Sequence, residues 1–376
     1  MSRYIFIAGK DPDLSLAELY AVHPDALFDH LGSDFIVMET PKKLAQSDFD
    51  RLGGVVKMAE IKAEVQKEGL NEALLENLME GHESGKLNYG VSLYGMPESM
   101  LRKLLISLKK LLKSAGVSSR FANQEFQNLS VAQKKGLKGP ELIVAEFNDQ
   151  YVVARVTATQ DIDAYSQRDF HKPFRSMKVG MLPPKLAQIL VNLTGVSGTI
   201  WDPFCGGGVL VMEGVLSGHE VLGSDINTST LLGAQKNMDW LGQMHVLNAS
   251  ASLFEHDATD PVPDYAFEAI AFEGYLGPPQ THPRAERELR PIANELDQLY
   301  TRFFRQLKAA DFRGPIVAAL PFFRLRDGSE MGLDCVERIE EMGFELQSLL
   351  PHQKCFSLNY ARDDQLVGRE VMRFKL

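Results

Sequence analysis

"TIWDPFCGGGVLVMEGVLSGHEVLGSDI", residues 199–226, is the stretch on which the fold turns. Ile200 and Trp201 lead into Asp202, where a predicted strand stops. Gly206, Gly207 and Gly208 make a turn, an apolar helix pattern follows, and a second predicted strand ends at Asp225. Strand, glycine turn, helix and strand form the repeating unit of a doubly wound parallel sheet, and the pattern recurs toward the C-terminus. Upstream, Pro183 and Pro184 open a predicted helix whose Leu186, Ile189, Leu190 and Leu193 share one side.

The rest of the chain is organised differently. A length of 376 residues exceeds what one core usually organises. Residues 1 to about 72 alternate strand and helix patterns: "YIFIAG", a helix opened by a capping box from Ser15 to Glu18, "FIVMET", a helix in "KKLAQSDFDRL", then "VVKMAEIKAEV". The run "ALLENLMEGHESGK" turns polar and is expected to mark a boundary. A second α+β unit follows, with "LNYGVSLYG" as a strand and a helix in "MLRKLLISLKKLLKSAG". On that helix Leu101, Leu104, Leu105, Leu108, Leu111 and Leu112 share one face, and Gly116 ends it. A hairpin of "ELIVAEF" and "YVVARVTA" around Asn148-Asp149-Gln150 completes the unit. Residues 160–180 show neither period and read as an ordered connector.

Bulk composition sets limits. The chain is 44% hydrophobic and 24% charged, ordinary for a globular protein, with a net charge of -10. Cys205, Cys335 and Cys355 lie far apart, so neither a disulfide framework nor a cysteine-based metal site is expected. The first residues carry an apolar run too short for a signal peptide, and no window approaches the roughly 18 apolar residues of a membrane span, so a cytoplasmic location without membrane contact is expected.

The glycine turn and its acids suggest a nucleoside cofactor. Glycines at a helix start let a ligand approach the backbone, and an acid at the next strand tip can accept both ribose hydroxyls. For a dinucleotide fingerprint Val211 stands where the third glycine belongs, and Asp202 would repel a pyrophosphate. S-adenosyl-L-methionine, with an ammonium, a ribose and no phosphate, suits the acids better. After a third strand, Asp257 in "EHDAT" is placed to bind an adenine amine, with Ala258 packed nearby. The competing reading, structural turns with solvent-facing acids, stands beside it.

With "DPFCGGG", "GSDI", "HDA", the upstream "RDFHKPFRSMKVGMLPPKLAQILVNL" and the late "YARDDQLVGREV", the chain resembles the THUMP-domain RNA methyltransferases, closest to the tRNA guanosine N2-methyltransferases. The resemblance implies an α/β chain: a ferredoxin-like α+β domain (1–75), a THUMP-like RNA-binding domain (76–159), a linker (160–180) and a Rossmann-type methyltransferase domain with a doubly wound, mostly parallel sheet (181–376). It places Asp202, Phe204, Gly206 and Gly208 at the methionine end of the cofactor, Asp225 at its ribose and Asp257 at its adenine; Leu182, Ile226 and Ala258 complete the candidate cofactor residues. The implied partner is tRNA, gripped near its acceptor end, and a helper subunit is left open. The implied reaction is direct in-line methyl transfer to a guanosine exocyclic amine, without metal or covalent intermediate.

The fourth predicted strand, "AIAF", ends at Glu273-Gly274-Tyr275-Leu276. In such amino methyltransferases the tip is usually Asp/Asn-Pro-Pro-Tyr/Phe. An exocyclic amine is a poor nucleophile, so a side-chain oxygen and a backbone carbonyl accept its two N–H bonds, and an aromatic neighbour stacks on the base. Glu273 and Tyr275 are the candidate catalytic residues. Their altered setting keeps two rivals in view: an RNA-binding protein that has lost turnover, and a methyltransferase for another nucleobase. Glu273 capping a helix or pairing with an arginine is the structural alternative.

From Leu101 to Pro140, Arg102, Lys103, Lys109, Lys110, Lys113, Arg120, Lys134, Lys135 and Lys138 face one acid, Glu125. Such concentration in an acidic chain points to phosphate binding, against the plainer readings of a solvated helix face or a membrane-surface helix. The connector adds Arg168 and Arg175 as RNA candidates, while Lys172 and Ser176 depart from the family's linker motif and His171 is expected to hydrogen-bond within the linker. Tyr360, Arg362 and Gln365 either border the substrate pocket or shape a turn. On this reading Glu273→Ala abolishes methylation and leaves cofactor binding nearly intact, measured by methyl incorporation and calorimetry; unchanged turnover removes Glu273 from the chemistry.

Overall fold

Apolar runs that are buried on both faces dictate the larger sheet. The computed structural model of the chain describes residues 1–32, 34–175, 181–350 and 353–376. The chain divides into two compact units, the first of residues 1–16, 23–50 and 54–163, the second of 17–22, 51–53 and 164–376.

In the first unit the elements are β1 (Ser2–Ala8), α1 (Pro12–Val22, which continues into the second unit), β2 (Leu27–Leu31), β3 (Phe35–Thr40), α2 (Gln46–Phe49), β4 (Val55–Val65), α3 (Leu70–Met79), β5 (Leu87–Tyr94), α4 (Ser99–Ser114), β6 (Ser119–Phe121), α5 (Val131–Gly136), β7 (Glu141–Phe147) and β8 (Gln150–Thr159). The strands form one sheet in the order β2-β3-β1-β4-β8-β7-β5-β6. The segments expected as ferredoxin-like and THUMP-like thus share a sheet, joined by the antiparallel β4–β8 pair.

Local expectations fare unevenly. The leucine stripe of α4 is as read: Leu101, Leu105, Leu108 and Leu112 are buried, and Leu104 and Leu111 half-buried. The hairpin turns through Asn148 and Asp149, both at positive φ, the conformation a tight two-residue connection requires. The capping box does not form, because α1 begins at Pro12 and places Ser15 and Glu18 inside it. Ser15 donates inward to Asp11 O and Gly54 O, and Glu18 Oε1 accepts from Gly53 N and Asn192 Nδ2. The helix expected over residues 42–52 contracts to α2, where Asp48 caps Ala45 N. Residues 73–79, read as the start of a boundary, belong to α3, whose Leu70, Leu74 and Leu78 recur every four residues on its buried side.

The second unit carries α6 (Ile162–Ser166), a π-turn (Gln167–His171), α7 (Pro184–Leu193), β9 (Ile200–Asp202), α8 (Val209–Leu216), β10 (Val221–Asp225), α9 (Thr228–Met244), β11 (Ala251–Glu255), β12 (Ala269–Glu273), α10 (Glu286–Ala309), β13 (Ile316–Arg324), β14 (Glu330–Met331), α11 (Cys335–Glu341), β15 (Glu345–Leu346), β16 (Ser357–Tyr360) and β17 (Val367–Lys375). Its sheet runs β11-β10-β9-β12-β13-β17-β15; the first five strands are parallel and β17 is antiparallel. The fold is the expected Rossmann-type α/β arrangement. Ala269 to Phe272 have no solvent exposure, as central parallel strands require. Along α10, Leu289, Ala293, Leu296, Tyr300, Phe303 and Leu307 form one stripe and share a core with Ile270, Phe272, Ile316 and Ala318. The expected pairing of the "FELQSLL" segment with the last strand is the β15–β17 ladder. Among the described residues no helix is long and apolar enough to cross a membrane.

One buried polar network braces the first unit. Lys57 Nζ on β4 lies 2.5 Å from Glu141 Oε1 on β7 and donates to Leu129 O, just ahead of α5. Ser92 on β5 donates to the same carboxylate oxygen and accepts from Leu129 N. Lys57 is 2% exposed and Glu141 not at all, so removing one partner strands the other charge. Lys57→Met is expected to lose about 3–5 kcal/mol in denaturant unfolding, and the double variant Lys57→Met/Glu141→Leu to regain most of it.

Candidate active site

The glycine turn after β9 takes its shape from specific contacts. Asp202 Oδ1 accepts from Phe204 N at 3.1 Å, Cys205 N donates to Ser224 O, and Gly206 N donates to Asp225 Oδ2 at 3.0 Å. Gly206 and Gly208 both have positive φ, and a Cβ on Gly208 would come within 3.1 Å of Ala234 Cβ. Gly208 is the N-cap of α8 and serves the turn's conformation; the cavity is lined by Gly206 and Gly207 instead.

That cavity, about 530 Å3, opens at the C-terminal ends of β9, β10, β11 and β12. It gathers the expected Leu182, Asp202, Phe204, Gly206, Asp225, Ile226, Asp257, Ala258, Glu273 and Tyr275. Sequence reading missed Lys172, Phe174, Thr230, His256, Leu299 and Arg302 among its walls. His256 adjoins Asp257 and Thr259, also in the lining, lies two residues on, so both are within reach of local reading; Leu299 and Arg302 come from α10, and nothing local marks them.

Each acid has its own setting. Asp202 is buried, and that burial, with the charges of Asp225 and Glu273, holds its carboxyl well above the usual range despite the Phe204 N–H. Asp225 accepts from Gly206 N and Asn227 N. The N–H and hydroxyl of Thr259 bind Asp257 Oδ1; the N–H is the main cause that keeps this carboxyl low, hence ionised and able to accept from an amine. Glu273, at the tip of β12, accepts at Oε1 from Arg369 Nε on β17 at 2.7 Å, with the two side chains 11% and 3% exposed. Burial raises the Glu273 carboxyl and Arg369 opposes that rise. The arginine-pairing alternative for Glu273 is therefore present in the structure, at the cavity wall.

The next residues explain the unusual tip. Tyr300 on α10 sends its hydroxyl past Gly274 to Tyr275 O at 2.6 Å. A side chain at position 274 would collide with that hydroxyl, so the prolines usual in such tips cannot occupy this path. Tyr275 remains 46% exposed at the cavity, a surface on which a base can stack.

The connector is fastened to the turn by Asn237, which is fully buried on α9. Its Oδ1 accepts from Phe174 N at 2.8 Å, and its Nδ2 donates to Phe174 O and Gly207 O. A polar residue amid the buried Ala234, Met238 and Leu241 was the available signal. Arg168, expected on RNA, is corrected: it is buried and forms a two-pronged ion pair with Glu213 on α8, Nε–Oε1 2.6 Å and Nη2–Oε2 3.1 Å. Lys172 donates to the carbonyls of Arg168 and Asp169 and closes the π-turn. Arg175 is exposed, over the Phe170 ring at 5.6 Å. His171 is exposed at the end of the π-turn, and Ser176 lies outside the described residues.

In the first unit Arg102, Lys103, Lys109, Lys110 and Lys113 are exposed on α4, and Arg120 and Lys138 are exposed as well. Arg102 lies over Phe126 at 5.1 Å and Lys109 over Phe121 at 5.7 Å. Lys134 is half-buried and binds Gly139 O, and Lys135 pairs with Asp161 and Asp163, so these two present less free charge than expected. Gln365 Oε1 accepts from Arg362 N, and Arg324 binds the carbonyls of Arg362 and Asp363. Neither Arg362 nor Gln365, nor Tyr360, lines the cavity; Arg362 and Gln365 shape a turn, whereas Tyr360 ends strand β16.

Acids at adjacent strand tips around a glycine turn form the pattern to set against known proteins. Residues 174–254 match the family described as RMKL-like, methyltransferase domain. Two curated relatives resemble parts of the chain: the tRNA (guanine(10)-N2)-dimethyltransferase of Methanothermobacter thermautotrophicus, 37% identical over 25% of this chain and 29% of its own length, and that of Pyrococcus abyssi, 33% identical over 36% and 38%. The chain thus spans about a third of the length of the curated relatives it matches. The crystal structure of TrmN from Thermus thermophilus shares the fold, with a TM-score of 0.54 and 15% identity over 99% of both chains. Within the second unit the Asn237 clamp joins Phe174 of the connector to Gly207 of the glycine turn. Asn237→Leu leaves part-buried Phe174 and Gly207 backbone groups without their side-chain partner, and a total loss of about 1–3 kcal/mol is expected in thermal or denaturant unfolding.

Proposed function

We propose that the chain is an S-adenosyl-L-methionine-dependent methyltransferase that modifies the exocyclic amine of a guanosine in tRNA. The observation that carries this reading is the single cavity on which Asp202, Asp225, Asp257 and Glu273 converge from four strand ends. Their chemistry fits the cofactor: an acidic wall suits an ammonium and a sulfonium and opposes phosphates. Asp202 faces the ammonium, Asp225 the ribose, and Asp257 the adenine amine, with Leu182, Ile226 and Ala258 as apolar walls. When bound, the cofactor supplies an electrophilic methyl group.

The chain's own residues then act on the acceptor. Tyr275 stacks on the base, and Glu273 accepts one N–H of the amine, which turns the nitrogen lone pair toward the methyl group. That nitrogen would take the methyl group of a bound cofactor, whose thioether is the leaving group, and the amine's extra proton would leave to water. Exposed basic residues of the 76–159 region, chiefly those of α4, hold tRNA phosphates near the acceptor end, as a THUMP-like region joined through the 160–180 linker to the 181–376 catalytic domain. No disulfide links Cys205, Cys335 and Cys355, which suits work in a reducing cytoplasm. The names of the two archaeal relatives make position 10 and double methylation the first products to look for.

Two measurements test the reading. Labelled methyl transfer to bulk tRNA, followed by nucleoside mass spectrometry, is expected to yield N2-methylated guanosine; cofactor binding without transfer, or a product on another base, rejects it. The cofactor's cationic groups favour ionised Asp202, whose carboxyl is raised in the free protein. Affinity is therefore expected to rise with pH through that carboxyl's titration, with proton release on binding. Calorimetry in buffers of different ionisation enthalpy reads this directly, and Asp202→Asn removes the proton release.

A further inference from the structure

The Glu273–Arg369 pair joins strands that are not neighbours. In the order β12-β13-β17, Glu273 lies opposite Ala319 and Arg369 opposite Pro321, so the guanidinium reaches diagonally across β13. Ala319 and Pro321, on the face the pair shares, are small enough to leave that path open. Only Oε1 is engaged by Arg369, and among the described residues Oε2 has no hydrogen-bond partner, while Glu273 lines the cavity. Around Glu273 stand Asp202 at the end of β9, Tyr275 in the following loop, Tyr300 on α10 and Arg369 on β17; Arg369 is the cation among them.

Accepting an N–H requires a carboxylate or its oxygen lone pair in one orientation. A buried glutamic acid beside Asp202 would otherwise hold its proton, and its hydroxyl would point a donor at a group that offers donors itself. We propose that Arg369 is a positioning residue: it keeps Glu273 ionised and in one rotamer, so that Oε2 faces the substrate amine as an acceptor. This deepens the methyltransferase reading and rests on it. The ion pair does here what a rigid proline-bearing tip does by backbone geometry, and it explains how a longer side chain at this position is held still.

The experiment uses the full chain. Infrared spectra of the carboxyl region, with Glu273→Gln subtracted to assign the band, are recorded against pH for wild type, Arg369→Lys and Arg369→Gln. Wild type and Arg369→Lys are expected to show ionised Glu273 at neutral pH, and Arg369→Gln the protonated form. In parallel, the acid limb of kcat is expected to move up by at least tenfold in proton concentration, about one pH unit, in Arg369→Gln, with Arg369→Lys restoring much of it and KM for the cofactor within twofold. Protonated Glu273 in the wild type overturns the proposal without any Arg369 variant, which covers a failure of Arg369→Gln to fold. Unmoved pH profiles in a folded Arg369→Gln overturn it as well, leaving a structural ion pair. Methyl transfer with the infrared pattern absent sinks the positioning role alone; no transfer by the wild type at any pH, with the pattern intact, sinks the function and that role together.

Discussion

Parallel neighbours end on the same side of a sheet, and in β11, β10, β9 and β12 that geometry brings the acids at or just past their ends to one edge. Burial above all, with the like charges of Asp225 and Glu273 added to it, raises the carboxyl of Asp202. The fold answers each acid separately: Phe204 N–H for Asp202, two backbone N–H groups for Asp225, Thr259 for Asp257 and Arg369 for Glu273. What remains is a concavity with acids along its strand-end wall and Lys172, Arg175 and Arg302 elsewhere in its lining.

The packing behind the edge holds it in place. Phe204, Phe272, Tyr300 and Phe303 stack in a tilted and edge-to-face cluster, with ring centroids 5.2 to 6.5 Å apart. Tyr300 belongs both to this cluster and to the loop carrying Tyr275, so the core of α10 sets the height of the strand tip. Asn237 does the same for the connector and the glycine turn. Replacing Glu273 by Ala acts through this packing too: it leaves the buried Arg369 guanidinium uncompensated, so lost activity in that variant mixes a folding defect with the chemistry, and the Gln variant isolates the charge.

Two kinds of error in reading the residues have different physical origins. The capping box from Ser15 to Glu18 was a correct local pattern overruled by tertiary demand, since both side chains point inward to satisfy buried backbone and Asn192 groups. In residues 73–79 polar and acidic side chains interrupt the leucines and mask the helical spacing of Leu70, Leu74 and Leu78. Arg168 counted as a phosphate ligand because charge in a sequence carries no burial label.

The sequence alone determined the doubly wound sheet, the leucine stripe of α4, the glycine turn and the acids at its successive strand ends. Those features rest on periods of two and 3.6 residues and on chemistry within a few positions, which a linear text preserves. Tertiary structure alone decided that Glu273 meets Arg369, 96 residues away, that Arg168 meets Glu213, and that Tyr300 passes Gly274. Such pairings depend on strand order and on which face each side chain takes, and those are settled only when the sheet closes around its core.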